Sequence, residues 1–286
     1  DRTTGRNLIW GCKEYEDLGD GFAEKDEMTV AALTGENDGL IIPRALKPRD
    51  AQPIRTKGKS DVFTPTWICN LQNNLIDEPF FGRSHAFNYP RGQKEWCIRS
   101  KDFDKRGNVW FPEGKTWQDY VLLNRMEMTC GEAPYLVSRF NMEDGKLLPI
   151  TRRIGILDRK LRVVTENTKN ERQWLKWAYE AFRHTYGFEW QGDMLLLARL
   201  NLLSTLVDYY KEKFRTAPSV ASLMKVVQIT SWNVWQMDGL NGQLPYTASQ
   251  DFMENPLFPE ANKHFSLVMD WDKGEAIHVV QLQGRR

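Results

Sequence analysis

The sequence predicts an α/β fold built on a mostly parallel sheet. Short apolar segments that end in a glycine or an acid alternate along the chain with longer segments whose apolar residues recur at helical spacing. Strands that alternate with helices are joined by crossovers, and such strands form a parallel sheet. The 286 residues, 41% of them hydrophobic, are enough for one large domain or for a core domain with an extra lobe.

Composition excludes several classes of protein. No apolar run approaches the ~20 residues that span a bilayer, and no signal-peptide pattern is present, so we expect a cytoplasmic protein without membrane contact. The four cysteines share no CxxC spacing and there are only four histidines, which argues against a zinc site. The net charge of +1 argues neither for nor against a polyanionic partner.

The chain divides into an N-terminal extension, residues 1–60, and a main domain, residues 61–286. The domain begins at Thr64-Pro65, where Thr64 is predicted to cap a helix and Pro65 to occupy its first turn. A segment at about 81–115, rich in Gly, Pro, Asn and charge, is predicted to be a long loop or insert. Residues 117–128 fit either a helix that ends in a short strand or a strand alone.

Helices and strands alternate through the second half of the chain. We predict helices at 135–140, 172–185, 193–214 (capped by Asp193) and 219–230, and strands at 154–157, 233–237, 265–269 and 276–280, with a further short strand that ends at residues 187–189.

Basic residues gather in the insert. Eight of them lie between Arg83 and Lys115, against four acids, and a second basic run covers residues 47–59. Local positive charge of this kind can neutralise phosphates, so we expect the insert to contact double-stranded DNA. The residues expected to bind DNA are Arg83, Arg91, Lys94, Arg99, Lys101, Lys105 and Arg106. The alternative is a solvated loop.

Three strand ends carry residues suited to a nucleoside ligand. Gly131, in the turn after the first strand, permits close approach of a ligand to the backbone. Glu189 ends the next strand, and an acid there can accept hydrogen bonds from ribose hydroxyls. Asp238 ends the third, and its carboxylate can accept a hydrogen bond from an exocyclic amine. Because ligands of parallel sheets bind at the carboxyl ends of strands, these residues predict one shared pocket. An ordinary turn is the alternative at each position.

The order of four segments resembles the N6-adenine DNA methyltransferases. These segments are Phe63-Thr-Pro-Thr-Trp67, Glu127-Met-Thr-Cys-Gly-Glu-Ala-Pro-Tyr135, Tyr186-Gly-Phe-Glu189 and Gln236-Met-Asp-Gly-Leu240. The resemblance is greatest to modification (M) subunits of restriction–modification systems and covers most of residues 60–286. It implies a Rossmann-like methyltransferase fold and S-adenosylmethionine as the cofactor.

The resemblance also assigns roles residue by residue. It implies cofactor contacts from Phe63, Thr64, Pro65, Glu127, Cys130, Gly131, Glu189 and Asp238. The chain departs from the family because the catalytic (N/D/S)PP(Y/F) segment, which binds the flipped adenine, is not found. Asp270-Trp271, after the strand at 265–269, pairs an acid with an aromatic residue and is the candidate for this role. A hairpin turn is the alternative there.

Three functions follow from these observations. The first is S-adenosylmethionine-dependent DNA adenine-N6 methylation in a restriction–modification or phage-defence system, either alone or with a specificity or nuclease subunit. The second is a cofactor- or DNA-binding subunit that has lost catalysis and needs a partner. The third is a Mg²⁺-dependent DNA endonuclease, because Asp158 and Lys160 match half of a nuclease motif and Asp144 can supply the upstream acid.

Overall fold

The structure, a computed structural model, describes residues 1–46, 64–98, 104, 107–247, 265–279 and 281. The protein is a mixed α/β protein with a parallel three-stranded sheet. In chain order its helices are α1 (Val30–Leu33), α2 (Thr66–Phe81), α3 (Trp117–Val121), α4 (Ile156–Asn167), α5 (Glu171–Arg183), α6 (Gly192–Phe214) and α7 (Val220–Asn233). Its strands are β1 (Tyr89–Arg91), β2 (Glu95–Cys97), β3 (Arg125–Met128), β4 (Thr185–Glu189), β5 (Val234–Gln236), β6 (Leu267–Asp270) and β7 (Glu275–His278).

The central sheet has the order β3-β4-β5, and both pairings are parallel. Helices α4 and α5 connect β3 to β4, and α6 and α7 connect β4 to β5. This is the alternation that the sequence predicts, because parallel neighbours need a crossover connection. The carboxyl ends of all three strands therefore lie at one edge of the sheet, called here the carboxyl edge, and their starts lie at the amino edge.

The two faces of the sheet are covered differently. The register places Met128, Phe188 and Trp235 side by side, and the neighbouring residues Gly187 and Val234 point to the other face. Val234 belongs to the main hydrophobic core with the helices, whereas Phe188 and Trp235 pack with the β6–β7 hairpin. Helices therefore cover one face and the hairpin covers part of the other.

Helix boundaries are set by local capping. The side chains of Asn170 and Ser219 accept hydrogen bonds from backbone N–H groups at the starts of α5 and α7, 3.0 Å and 3.1 Å long. At α2 and α6 the predicted caps are wrong. Pro65, not Thr64, is the cap residue of α2, and Gln191 is the cap residue of α6, so Asp193 lies inside the first turn.

Two other predicted elements differ from the structure. No helix forms at 135–140, because backbone atoms there bind the start of α4: Ile156 donates to the carbonyl of Tyr135 and Leu157 to that of Leu136, both at 2.8 Å. The predicted strand at 154–157 is wrong, since α4 begins at Ile156. Residues 117–128 form helix α3 followed by β3, which confirms the first of the two alternatives.

The predicted insert contains an antiparallel hairpin, β1–β2, in its described part. The predicted strands at 265–269 and 276–280 also form an antiparallel hairpin, β6–β7, and neither joins the parallel sheet. Within the described residues, no helix is both long and apolar enough to cross a membrane.

The N-terminal segment packs against the carboxyl edge. Trp10 is fully buried in the main core, and its carbonyl accepts a 2.9 Å hydrogen bond from the N–H of Gly192 at the start of α6. Gln236, at the end of β5, bonds both the N–H and the carbonyl of Ile9, at 3.0 Å and 2.9 Å. This part of the predicted extension is thus integral to the structure around the strand ends.

Candidate functional site

The loop after β3, residues 129–135, has an unusual backbone. Thr129, Gly131 and Ala133 all have positive φ angles, of 52°, 51° and 66°. Residues other than glycine avoid this region because Cβ meets the backbone, at a cost of about 1–2 kcal/mol each. Two such residues in one short loop require contacts that hold the loop in this shape.

Two acids provide these contacts. Glu127, in β3, accepts the backbone N–H groups of Tyr135 at 3.3 Å and Leu136 at 3.2 Å, and closes the far end of the loop. Glu189, at the end of β4, accepts the N–H of Gly131 at 2.8 Å. The first loop of the sheet is therefore fastened to its own strand and to the next one.

Glu127 is an internal group. Its side chain is buried, and this burial raises the pKa of its carboxyl well above the ordinary value, against the lowering effect of the Tyr135 and Leu136 N–H groups. The neighbouring Cys130 is also buried, and burial followed by the charges of Glu127 and Glu189 raises the pKa of its thiol. Glu127 and Cys130 consequently shape the loop from inside and do not present side chains to a ligand.

Glu189 is only half-buried and binds a row of backbone donors. Its second oxygen, Oε1, accepts the N–H of Trp190 at 2.9 Å and that of Gln191 at 3.3 Å, while Oε2 accepts that of Gly131. Beside it, a Cβ at Gly131 would meet no atom of the described residues within 4 Å. The Glu189 carboxylate therefore borders open space next to a glycine backbone.

Asp238 follows β5 at the same edge. The N–H of Met237 donates to the carbonyl of Glu189 at 3.0 Å, which sets the two strand ends side by side. The Asp238 carboxylate accepts the N–H of Leu240 at 2.8 Å and the side-chain amide of Asn241 at 2.9 Å. A carboxylate has about four acceptor positions, so Asp238 keeps capacity for a further donor.

Thr64 and Pro65 lie close to the same loop. The hydroxyl of Tyr135 donates to Gln72 of α2 and also interacts with the side chains of Thr64 and Cys69. The structure therefore brings together Thr64, Pro65, Glu127, Cys130, Gly131, Glu189 and Asp238 at the carboxyl edge. Phe63 lies outside the described residues.

Asp270 and Trp271 lie elsewhere. Strand β6 begins near the carboxyl edge, where Ser266 donates to the carbonyl of Gly242 at 3.0 Å. It ends at the amino edge, where Trp271 Nε1 donates to the Asn233 side chain, just before β5, at 2.7 Å. The pair that the resemblance offers as catalytic is therefore at the opposite edge of the sheet from Gly131, Glu189 and Asp238.

The nuclease triad is not assembled. Asp158 and Lys160 are both buried in α4, where Asp158 accepts the N–H of Ser138 at 2.8 Å and Lys160 donates to the carbonyls of Leu123 and His184 at 2.6 Å and 2.8 Å. Asp144 is paired with Lys146 at 3.0 Å on the surface. In the described part of the chain, no three His, Cys, Asp or Glu side chains are grouped as metal ligands.

The predicted DNA contacts are described only in part. Arg91 and Lys94 are exposed on the β1–β2 hairpin, and Arg83 stacks on Trp110 with its guanidinium carbon 5.4 Å from the ring centre. Arg99, Lys101, Lys105 and Arg106 lie outside the described residues, as does the basic run at 47–59.

Sequence reasoning assigned no role to three contributors to the site. The side-chain amide of Asn201, in α6, donates to the carbonyl of Glu132 at 3.1 Å and so helps to hold the loop after β3 in place. Ile9 and Gly11 contact Gln236 and Trp190 at the neighbouring strand ends. The sequence signal at Gly11 is the glycine itself, since its φ is 66° and a Cβ there would lie 2.6 Å from the Trp190 carbonyl oxygen.

Comparison with known proteins adds no further constraint on function. No protein-family model matches this chain, and no curated protein or solved structure is significantly similar to it.

Proposed function

We propose that the carboxyl edge of the sheet binds S-adenosylmethionine and that the chain acts in DNA adenine-N6 methylation, within a Rossmann-like arrangement of the sheet. The observation that supports this most directly is the 2.8 Å hydrogen bond from Gly131 N–H to Glu189. It joins a glycine turn after one parallel strand to an acid at the end of the next, at the edge where such sheets bind nucleotides.

The chemistry of the edge suits the cofactor. The open space beside Gly131 admits the methionine part close to the backbone, Glu189 is an acceptor for ribose hydroxyls, and Asp238 is an acceptor for the adenine amine. S-adenosylmethionine would supply a methyl group already activated on its sulfonium. The remaining task of the protein is to hold the cofactor and present it to the acceptor base.

A second candidate, a cofactor-binding subunit that needs a partner for catalysis, is favoured by one observation. Asp270 and Trp271 are at the amino edge, across the sheet from the proposed cofactor. Since methyl transfer requires the base to reach the sulfonium directly, this pair cannot hold the base in the described arrangement. The exposed Arg91 and Lys94 are suited to the DNA backbone in either case.

Binding is tested by calorimetric titration of the protein with S-adenosylmethionine. Gly131→Ala should abolish measurable binding, because its methyl group would enter the open space of the site. Gly114→Ala is the matched control: Gly114 also has a positive φ, 76° against 51°, and also has no neighbour within 4 Å. Both substitutions should cost about 1 kcal/mol of stability through the same backbone strain.

Equal binding by the wild type and Gly131→Ala would refute the proposed location of the site. Transfer is tested separately, by incubating the protein, labelled cofactor and double-stranded DNA. Labelled N6-methyladenine supports a methyltransferase that is complete in this chain. Cofactor binding without transfer supports the cofactor-binding subunit, and DNA cleavage that needs Mg²⁺ and Asp158 would replace both with the nuclease.

A further inference from the structure

A second cavity lies at the amino edge of the sheet. It has a volume of about 280 Å³ and opens between the starts of β3 and β4 and the turn that joins β6 to β7. This is close to the lower end of the ~300–1,000 Å³ typical of small-molecule sites. The length of the strands separates it from Glu189 and Asp238, so it is not part of the proposed cofactor site.

The electrostatic field of this amino-edge cavity is negative. Asp270 and Asp272 both line it, and the only lining Arg or Lys among the described residues is Arg125. Arg125 Nη2 is 3.7 Å from the buried carboxylate of Asp77, which also pairs with Arg159 at 2.8 Å, and it donates to the carbonyl of Ile76 at 3.3 Å. The Asp270 carboxylate accepts the N–H of Lys273 at 3.2 Å, and Asp272 is exposed in the turn. Two acids therefore line the cavity against one cation.

His184 does not offset these acids. Its Nδ1 is 2.9 Å from the carbonyl of Glu180, the helical partner four residues earlier. Burial lowers the pKa of His184 below its ordinary value, so the ring is mostly neutral at pH 7. The guanidinium of Arg183, nearby, is paired with Glu180 at 2.7 Å and stacks on Trp271.

The walls of the cavity are aromatic and thioether groups. Trp271 is held in place by the 2.7 Å hydrogen bond from its Nε1 to Asn233, and Tyr186, Met126 and Met269 complete the wall. Aromatic rings attract cations to their faces by about 0.5–2 kcal/mol, and sulfur packs well against flat rings. Burial, and then the negative charges of Asp270 and Asp272, raise the pKa of Tyr186, so its hydroxyl stays protonated beside these acids.

We propose that the amino-edge cavity binds a small organic cation: an ammonium group carried on a flat ring. The ring would pack against Trp271, Tyr186 and Met126, and the ammonium group would lie against Asp270 and Asp272. The site should bind this cation more tightly than an anionic or a purely apolar ligand, because the negative charges and the aromatic wall act on the same small volume.

Two probes of the same shape and opposite charge test the proposal. Tryptamine and indole-3-propionate share the indole ring and a two-carbon arm, and differ in ending with an ammonium or a carboxylate. Calorimetric titration of the whole protein at pH 7 and low salt should show saturable binding of tryptamine, at least about tenfold tighter than that of indole-3-propionate. The preference should fall at high salt, because the ammonium contacts are partly exposed.

A pair of variants locates the site. Asp272→Asn keeps the shape of an exposed turn residue and removes one of the two charges, so it should weaken tryptamine binding by about tenfold. Asp38→Asn removes an exposed aspartate that does not line the cavity and should leave binding unchanged. No saturable tryptamine binding, equal binding of both probes, or equal effects of the two substitutions would each overturn the proposal.

Discussion

Glu189→Gln isolates the contact that fastens the β3 loop to β4. The carboxylate accepts three backbone N–H groups: Gly131 on Oε2, and Trp190 and Gln191 on Oε1. An amide has one acceptor oxygen and one NH₂ donor. If the amide oxygen keeps Trp190 and Gln191, the NH₂ group faces the N–H of Gly131, and a hydrogen bond becomes a contact between two donors.

The expected cost follows from this count. One hydrogen bond to a charged acceptor contributes about 1.5–3 kcal/mol, and the orphaned N–H adds its desolvation where it stays buried. The opposite rotamer satisfies Gly131 but leaves the other two donors with the NH₂ group, which costs more. We therefore expect the free energy of unfolding to fall by about 2 kcal/mol, which lowers Tm by roughly 4–8 °C in a domain of a few hundred residues.

Urea denaturation followed by tryptophan fluorescence measures the global effect, and amide hydrogen exchange at Gly131 measures the local one. Exchange at Gly131 should accelerate more than exchange in α5, because the loop loses its anchor while the core does not. Glu36→Gln, at an exposed surface position, should change stability by less than about 0.5 kcal/mol. Wild-type stability and wild-type protection at Gly131 in Glu189→Gln would refute the anchoring role.

Two further substitutions test packing at the strand ends. Burial lowers the pKa of Lys160 well below its ordinary 10.5, so the unfolded chain binds the proton more tightly and stability should rise with pH up to about that value. Lys160→Met should remove this rise with pH. It should also lower the free energy of unfolding by about 2 kcal/mol at pH 7, because the carbonyls of Leu123 and His184 lose their donor. Denaturation curves of the two proteins at several pH values measure both effects. Gly187→Ala should cost about 1–3 kcal/mol in the same measurement, since its Cβ would lie 3.2 Å from both Cβ and Sγ of the buried Cys130; an unchanged midpoint would contradict that crowding.

The helices that the sequence predicts well are those whose signals are local. In α5 the apolar residues Trp174, Ala178 and Ala181 recur at helical spacing, and Asn170 caps the first turn. In α7 Ser219 plays the same role. Their crossovers to β4 and β5 then follow, because a parallel sheet needs them.

The structure of the mispredicted segments is determined by hydrogen bonds to residues that lie far away in the sequence. We predict a helix at 135–140, yet Ser138 donates its N–H to Asp158 at 2.8 Å and its hydroxyl accepts the N–H of Ile154 at 2.7 Å. These hydrogen bonds replace those that a helix would make, and the sequence of the segment itself does not predict them. The covering of the carboxyl edge by Ile9 and Trp10 is of the same kind, since it depends on Gln236 and Gly192.

The placement of the two acid sets shows what strand order alone leaves open. Gly131, Glu189 and Asp238 each follow a strand, and because β3, β4 and β5 are parallel, all three meet at one edge. Asp270 also ends a strand, but β6 turns back on β7 through Gly274, whose N–H donates to the Asp270 carbonyl at 2.8 Å, and β6 runs toward the amino edge. The rule that ligands bind at strand ends holds only for strands of one direction. Strand direction therefore places Gly131, Glu189 and Asp238 at one edge of the sheet and Asp270 at the other, so the two proposed sites can be tested by separate substitutions.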